Sequence, residues 1–194
     1  MPLVLPGSTS GDIQIKAPAI AGSNILIAPA ETGTLRSTMS SGTIIQVKNT
    51  QFGTTTGALT SHFPIDNTIP QNTEGNALTS LDTTITPTSA SNWLVFDILV
   101  QMYITTACHV VVALFKDSGA DAIACSWCTV NTGWVTAMPV RFRMTSPGTS
   151  AYTFKVRVGG HDAVGAHVYV NGSSGGSYMG GTLVSSMTIT EVVP

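Results

Sequence analysis

The sequence predicts an all-β protein, a jelly-roll β-sandwich preceded by an extended N-terminal β arm, and three observations carry that prediction. Thr and Ser together make roughly a quarter of the 194 residues, while charged residues make only 9%, against about 25% in an average domain. Side chains for exposed helical faces are therefore scarce, whereas Thr, Val and Ile suit strands and Gly, Pro, Asn and Ser suit turns. Several short segments alternate apolar and polar residues with a period of two. Clusters of turn-forming residues separate those segments along the chain.

Residues 1–40 read as the arm. Ile15-Lys-Ala-Pro-Ala-Ile-Ala-Gly22 and Leu26-Ile-Ala-Pro-Ala-Glu-Thr-Gly33 repeat one pattern, and in each copy a short alternating strand, Asp12 to Lys16 and then Asn24 to Ile27, runs into a proline. Proline removes a ladder donor and stops the strand. Two copies of so short a unit bury no core of their own. The opening Met-Pro-Leu-Val-Leu-Pro lacks a basic segment and is broken by two prolines, which argues against a signal peptide.

Residues 41–194 read as the sandwich. Strands are expected at Thr43 to Asn49, Ser80 to Thr86, Trp93 to Thr105, Cys108 to Lys116, Ala122 to Val130, Met138 to Thr145, Tyr152 to Val158, His167 to Val170 and Val184 to Val193. In the third of these the even positions from Leu94 to Ile104 form one apolar face. In the seventh, Tyr152, Phe154, Val156 and Val158 face one way, and Thr153, Lys155 and Arg157 the other. An open sandwich leaves unpaired edges, and self-assembly is one way to cover them.

The sequence names few sites for chemistry. Cys125 and Cys128 have dithiol spacing, but on a strand residues three apart point to opposite faces, so their thiols do not meet. No helix follows to stabilise a thiolate, and no second pair completes a zinc site. Cys108 and His109 face apart for the same reason. His161 and Asp162 lie in the Gly-rich stretch 159–165, with no nucleophile beside them. Asp117-Ser-Gly-Ala-Asp121 offers too few oxygens for calcium and is explained as a hairpin turn. No catalytic residue, cofactor or metal is therefore expected. Eight basic residues against ten acidic give no electrostatic case for nucleic acid, and no segment is long and apolar enough for membrane insertion. Three cysteines, an odd number, suit synthesis in a reducing cytoplasm.

Half of the eight basic residues, Arg141, Arg143, Lys155 and Arg157, fall within one short span. If Met138 to Thr145 and Tyr152 to Val158 form a hairpin, Arg141 opposes Arg157 and Arg143 opposes Lys155, a repulsion of a few tenths to about 1 kcal/mol per pair. Carboxylates on neighbouring strands (Asp82, Asp97, Glu191), a neighbouring subunit or an anionic ligand would have to compensate.

The opening Val4 to Thr34 resembles the start of small tailed-bacteriophage virion proteins of the tail-fibre and decoration type. Asn67-Thr-Ile-Pro-Gln-Asn-Thr-Glu-Gly75, Thr86-Pro-Thr-Ser-Ala-Ser-Asn-Trp-Leu94, Ala113-Leu-Phe-Lys-Asp117 and Ser186-Met-Thr-Ile-Thr-Glu191 are similar to their head domains. The resemblance implies a non-enzymatic homotrimeric knob of tumour-necrosis-factor and C1q shape on a virion surface. Its arm would dock on capsid or tail proteins by strand addition, with Ile13, Ile15, Ile25 and Ile27 as contacts. Arg141, Arg143, Lys155 and Arg157 are then candidates for the subunit contact. With no heptads or extended shaft, a capsid decoration protein or short head fibre fits better than a long fibre. The alternative is a tail knob that recognises a host glycan or protein through loops 159–165 and 171–181, with His161, Asp162, Tyr169 and Tyr178.

Overall fold

A computed structural model of the chain describes residues 3–6, 12–15, 41–161 and 166–194. The chain divides into two compact units, Met1–Thr38 and Met39–Pro194. In the first, β1 (Leu3–Pro6) and β2 (Asp12–Ile15) pair antiparallel, with Leu5 opposite Ile13 and Leu3 opposite Ile15. The expected strand at Asp12 is present, and its partner is the Leu3–Pro6 run, whose closing proline ends the ladder. Ile25 and Ile27 lie outside the described residues.

The second unit is a two-sheet jelly roll. In chain order its strands are β3 (Ile44–Phe52), β4 (Asn76–Ala77), β5 (Thr83–Ile85), β6 (Trp93–Ile104), β7 (Cys108–Lys116), β8 (Ala124–Val130), β9 (Val135–Thr145), β10 (Tyr152–Gly160), β11 (Val168–Val170), β12 (Gly172–Ser173), β13 (Gly176–Ser177) and β14 (Ser185–Val192). In the first sheet β9 pairs with one edge of β6; β14 and then β11 share the other edge, and β3 closes the sheet beyond β14. In the second, β4 and β5 flank β10, followed by β7 and β8. The chain crosses between sheets after β3, β5, β6, β8, β9 and β10, which is the winding of a jelly roll.

Alternation fixes which faces meet. Leu94, Phe96, Ile98, Val100, Met102 and Ile104 of β6 are all buried, as are Val110, Val112 and Leu114 of β7 and Phe154, Val156 and Val158 of β10. Phe96 and Phe154 meet edge-on across the sheets with ring centroids 4.7 Å apart. Strand β7 is buried on its other face too. There Val111, Ala113 and Phe115 form a second small core with Phe63, which the 53–75 connection lays over the outside of the sheet. Its run Val-Val-Val-Ala-Leu-Phe accordingly shows no alternation, as expected of a strand covered on both sides. Gly75 makes this cover fit: its φ is +59° and a Cβ there would run into the Phe63 ring.

Three expectations need correction. Strands β9 and β10 are not a hairpin: they belong to different sheets, because each has one apolar face and the two faces close the core from opposite sides. The crossover between them is pinned by Ser146, whose N–H donates to Asn92 O at 2.8 Å and whose hydroxyl donates to Gly148 O at 2.7 Å. Gly159 and Gly160 are not loop residues but the end of β10, where only glycine fits: a Cβ on Gly159 would lie 2.7 Å from Ser61 O. Glu191 compensates no arginine. It is fully buried and accepts from Gln46 Nε2 (2.6 Å), Asn92 Nδ2 (2.6 Å), and the N–H and hydroxyl of Thr88 (both 2.8 Å), tying the 86–92 crossover to β3 and β14.

Candidate functional site

The odd positions of β6 point away from the core, and besides Asp97 and Gln101 they are apolar. Trp93, Val95, Leu99 and Tyr103 are only half-buried, and their cross-strand neighbours on β9 include the exposed Pro139 and Val135. On β3 at the sheet edge, Val47 is 52% and Ile44 60% exposed. Charge on this face comes from β6 and β9. Arg141 lies directly opposite Asp97 with Nε 3.8 Å from Oδ1, both well exposed, a pairing of little energetic weight. Arg143 stacks over Trp93 with its guanidinium carbon 4.1 Å from the ring centroid, a cation–π contact worth about 0.5–1 kcal/mol at an exposed site. The result is a broad sheet face on which half-buried apolar residues alternate with Asp97, Gln101, Thr188 and Thr190, and which is sparsely charged. The signal was available in the sequence: Trp93 to Ile104 carries large apolar residues on both parities.

Lys155 and Arg157 occupy the opposite side of the sandwich. They project from the outer face of β10, in register with Phe115 and Ala113 of β7. Arg157 donates from Nε to Glu74 O (2.6 Å) and from Nη2 to Gly75 O (2.8 Å), clamping the covering connection to the sheet. The four basic residues therefore divide two and two between faces, and none opposes another.

Of the residues tied to loop recognition, Tyr169 and Tyr178 come together around Tyr103, which the sequence alone did not single out. Tyr103 lies directly opposite Tyr169 in the ladder, with ring centroids 6.2 Å apart, and Tyr178 meets it edge-on at 6.1 Å. Tyr169 is a strand residue of β11 rather than a loop residue. His161 belongs elsewhere: it bridges to Phe63 and its ring lies 6.2 Å from that of His109. Asp162 lies outside the described residues. His109 Nδ1 is 2.8 Å from Thr129 Oγ1 and its ring packs edge-on to the exposed Trp127 at 5.1 Å.

The cysteines sit as strand alternation requires. Cys128 packs inward on the core, Cys125 is exposed on the outer face, and Cys108 is buried, with His109 on the other side of the strand. Burial pushes the Cys108 and Cys128 thiols above their ordinary range. Among the described residues no group of three or more His, Cys, Asp or Glu side chains could hold a metal ion.

No curated protein matches the chain. Among solved structures it is similar to the Eiger TNF from S. frugiperda, at 10% identity and a TM-score of 0.41, covering 75% of this chain and 92% of that one. It is also similar to a chain of the T13 IBDV viral particle, at 9% identity and a TM-score of 0.30, covering 97% of this chain and 43% of that one. Residues 58–194, most of the jelly roll, match the family model of the Pgp3 C-terminal domain, and the chain belongs to that family.

Proposed function

We propose that the chain is a non-enzymatic, self-associating structural protein. Residues 41–194 are the subunit of a homotrimeric knob, and residues 1–40 attach that knob to a larger assembly. The observation that carries this reading is the outward face of the β3–β14–β6–β9 sheet, with Val47, Trp93, Val95, Leu99, Pro139 and Val135 on a surface of few charges. Large apolar side chains exposed on a surface of so few charges point to an interaction site, and a closed symmetric assembly covers them without leaving a growing edge. Sedimentation equilibrium of the full chain tests it. The expected mass is about three times the 20.1 kDa of one chain, and Leu99→Glu at the centre of the face shifts the protein to monomer. A monomeric native protein, or a variant whose mass does not change, removes the reading.

The assembly to which the knob attaches is, on this reading, a virion, with the protein as capsid decoration or a short head fibre. Support comes from the resemblance of Val4 to Thr34 to small tailed-phage virion proteins, a segment separate from the family match at 58–194. Full-length protein should bind undecorated phage heads, and a chain beginning at Ser41 should not. A second reading, recognition of a host surface glycan or protein by a tail knob, is favoured by the cluster of Tyr103, Tyr169 and Tyr178. Adhesion to host cells with no binding to heads would select it.

A further inference from the structure

Beneath the clamp that Arg157 makes lies a cavity of about 330 Å³ on the outer face of the second sheet, within the range of small-molecule sites, roughly 300–1,000 Å³. Asn72, Thr79, Asp82, Ser118, Lys155 and Arg157 line it, with Phe115 in its floor. Its walls are braced. Asn72 Nδ2 donates to Gly119 O (2.9 Å) and Asn72 N–H to Ala120 O (2.7 Å), which joins the covering connection to the β7–β8 turn. The guanidinium is held in one orientation by its two carbonyl acceptors.

The charges do not cancel. Asp117, also in the wall, is already engaged: Lys116 Nζ lies 2.9 Å from one carboxylate oxygen, and the Thr153 N–H donates to the other at 2.8 Å. With Lys116 counted, three cations (Lys116, Lys155 and Arg157) meet two carboxylates, Asp82 and Asp117, an excess of one positive charge. Among the described residues neither Lys155 nor Arg157 has a carboxylate oxygen within 4 Å. Burial pushes the Asp82 carboxyl up, with Lys155 pulling it partly back. A dianion such as phosphate would meet the Asp82 charge at close range. A monoanion that also carries hydroxyls would satisfy both kinds of group.

We propose that this cavity binds an acidic monosaccharide, its carboxylate on Lys155 and Arg157 and its ring hydroxyls on Asp82, Asn72, Thr79 and Ser118. A bare carboxylate would leave the hydroxyl-binding groups unused, and a neutral sugar would leave the excess positive charge uncompensated. The proposal is independent of self-association, because the cavity lies on the side of the sandwich away from the apolar sheet face.

Isothermal titration of the full-length protein with glucuronate, glucose and acetate tests it. Glucuronate should bind saturably with a millimolar Kd, and glucose and acetate should each bind about tenfold more weakly or not at all. Lys155→Gln should weaken glucuronate by about 10- to 100-fold, the loss of one charge-assisted hydrogen bond. Among the described residues the Lys155 side chain makes no hydrogen bond, so the melting temperature of that variant should stay at the native value. Asp82→Ala should weaken glucuronate binding but not that of acetate, which is relieved of a nearby negative charge and should bind as well or better. Absence of saturable glucuronate binding overturns the proposal. Acetate binding as tightly as glucuronate, which would mean an adventitious anion site, or an unaltered Kd in Lys155→Gln, overturns it equally.

Discussion

Glu191→Gln is the most informative single substitution for the jelly roll. The native carboxylate is fully buried without a cation, and it accepts four hydrogen bonds from Gln46, Asn92 and Thr88. Glutamine keeps the volume but turns one acceptor oxygen into a donor. If the new amide takes the position of the oxygen facing Gln46, two donors oppose each other, and Gln46 can flip only by losing its bond to Thr86 O (2.8 Å). Hydrogen bonds to a charged group are worth about 1.5–3 kcal/mol each and one is lost outright, so a destabilisation of about 2–3 kcal/mol is expected. At about 2–4 °C per kcal/mol for a chain of this size, the melting temperature falls by roughly 5–10 °C. The pH dependence gives a second, independent check. Burial alone would raise the Glu191 pKa, but the hydrogen bonds from Gln46, Asn92 and Thr88 outweigh it and hold the carboxyl below its ordinary 4.5. The unfolded chain therefore binds the proton first. The stabilisation is complete above pH 4.5 and is lost as pH falls through the lower folded value. Thermal melts followed by circular dichroism should show a constant gap between native and variant from neutral pH down to about 4.5, narrowing from there to the lower folded value. A gap under about 0.5 kcal/mol at neutral pH, or one that widens on acidification, would refute the account of this network.

Three further outcomes are expected. Gly75→Ala forces a left-handed residue and a Cβ into the Phe63 ring, at a cost of about 2–4 kcal/mol. It should release the 53–75 cover first, seen as fast hydrogen exchange at Phe63 and Asn72, whose N–H groups donate to Gly160 O and Ala120 O, while Ile98 and Val156 stay protected. Phe96→Ala removes the ring at the centre of the sandwich and should cost about 3–5 kcal/mol in urea denaturation; a loss below about 1 kcal/mol would contradict the packing described. Maleimide should label the exposed Cys125 fastest in the folded protein, the half-buried Cys128 more slowly, and the buried Cys108 only after unfolding. Labelling of Cys125→Ser at the native rate would show those positions to be wrong.

Nine of the twelve strands of the second unit were legible because each has a period-two face or a turn cluster at its ends; Trp93 to Ile104 and Cys108 to Lys116 are clear cases, and the two-residue β4, β12 and β13 are too short to show either. Pairing was not legible. Adjacent strands such as β9 and β10 look like a hairpin locally, and only the shared core decides that β9 instead pairs along nearly the whole length of β6. The cover over β7 was hidden for a similar reason. The 53–75 segment reads as a polar loop, and its one fully buried large side chain, Phe63, reveals its role only when Val111, Ala113 and Phe115 are seen to need a lid. At the candidate sites, the four clustered cations were visible as an unbalanced charge, but their division between two faces depends on the sheet to which each strand belongs.

That division is what makes the two functional proposals separable. In a chain with only eight basic residues, Arg141 and Arg143 sit on the apolar sheet face and Lys155 and Arg157 on the far side, across a core whose central residues are inaccessible to solvent. Leu99→Glu should therefore change the mass of the assembly without moving the glucuronate isotherm, and Lys155→Gln should do the reverse, since substitutions this far apart and without shared partners act independently. If either variant moved both readouts, the cavity would have to lie at a contact between subunits. The outer face of β10, rather than that of β6, would then be the surface through which copies of this chain meet.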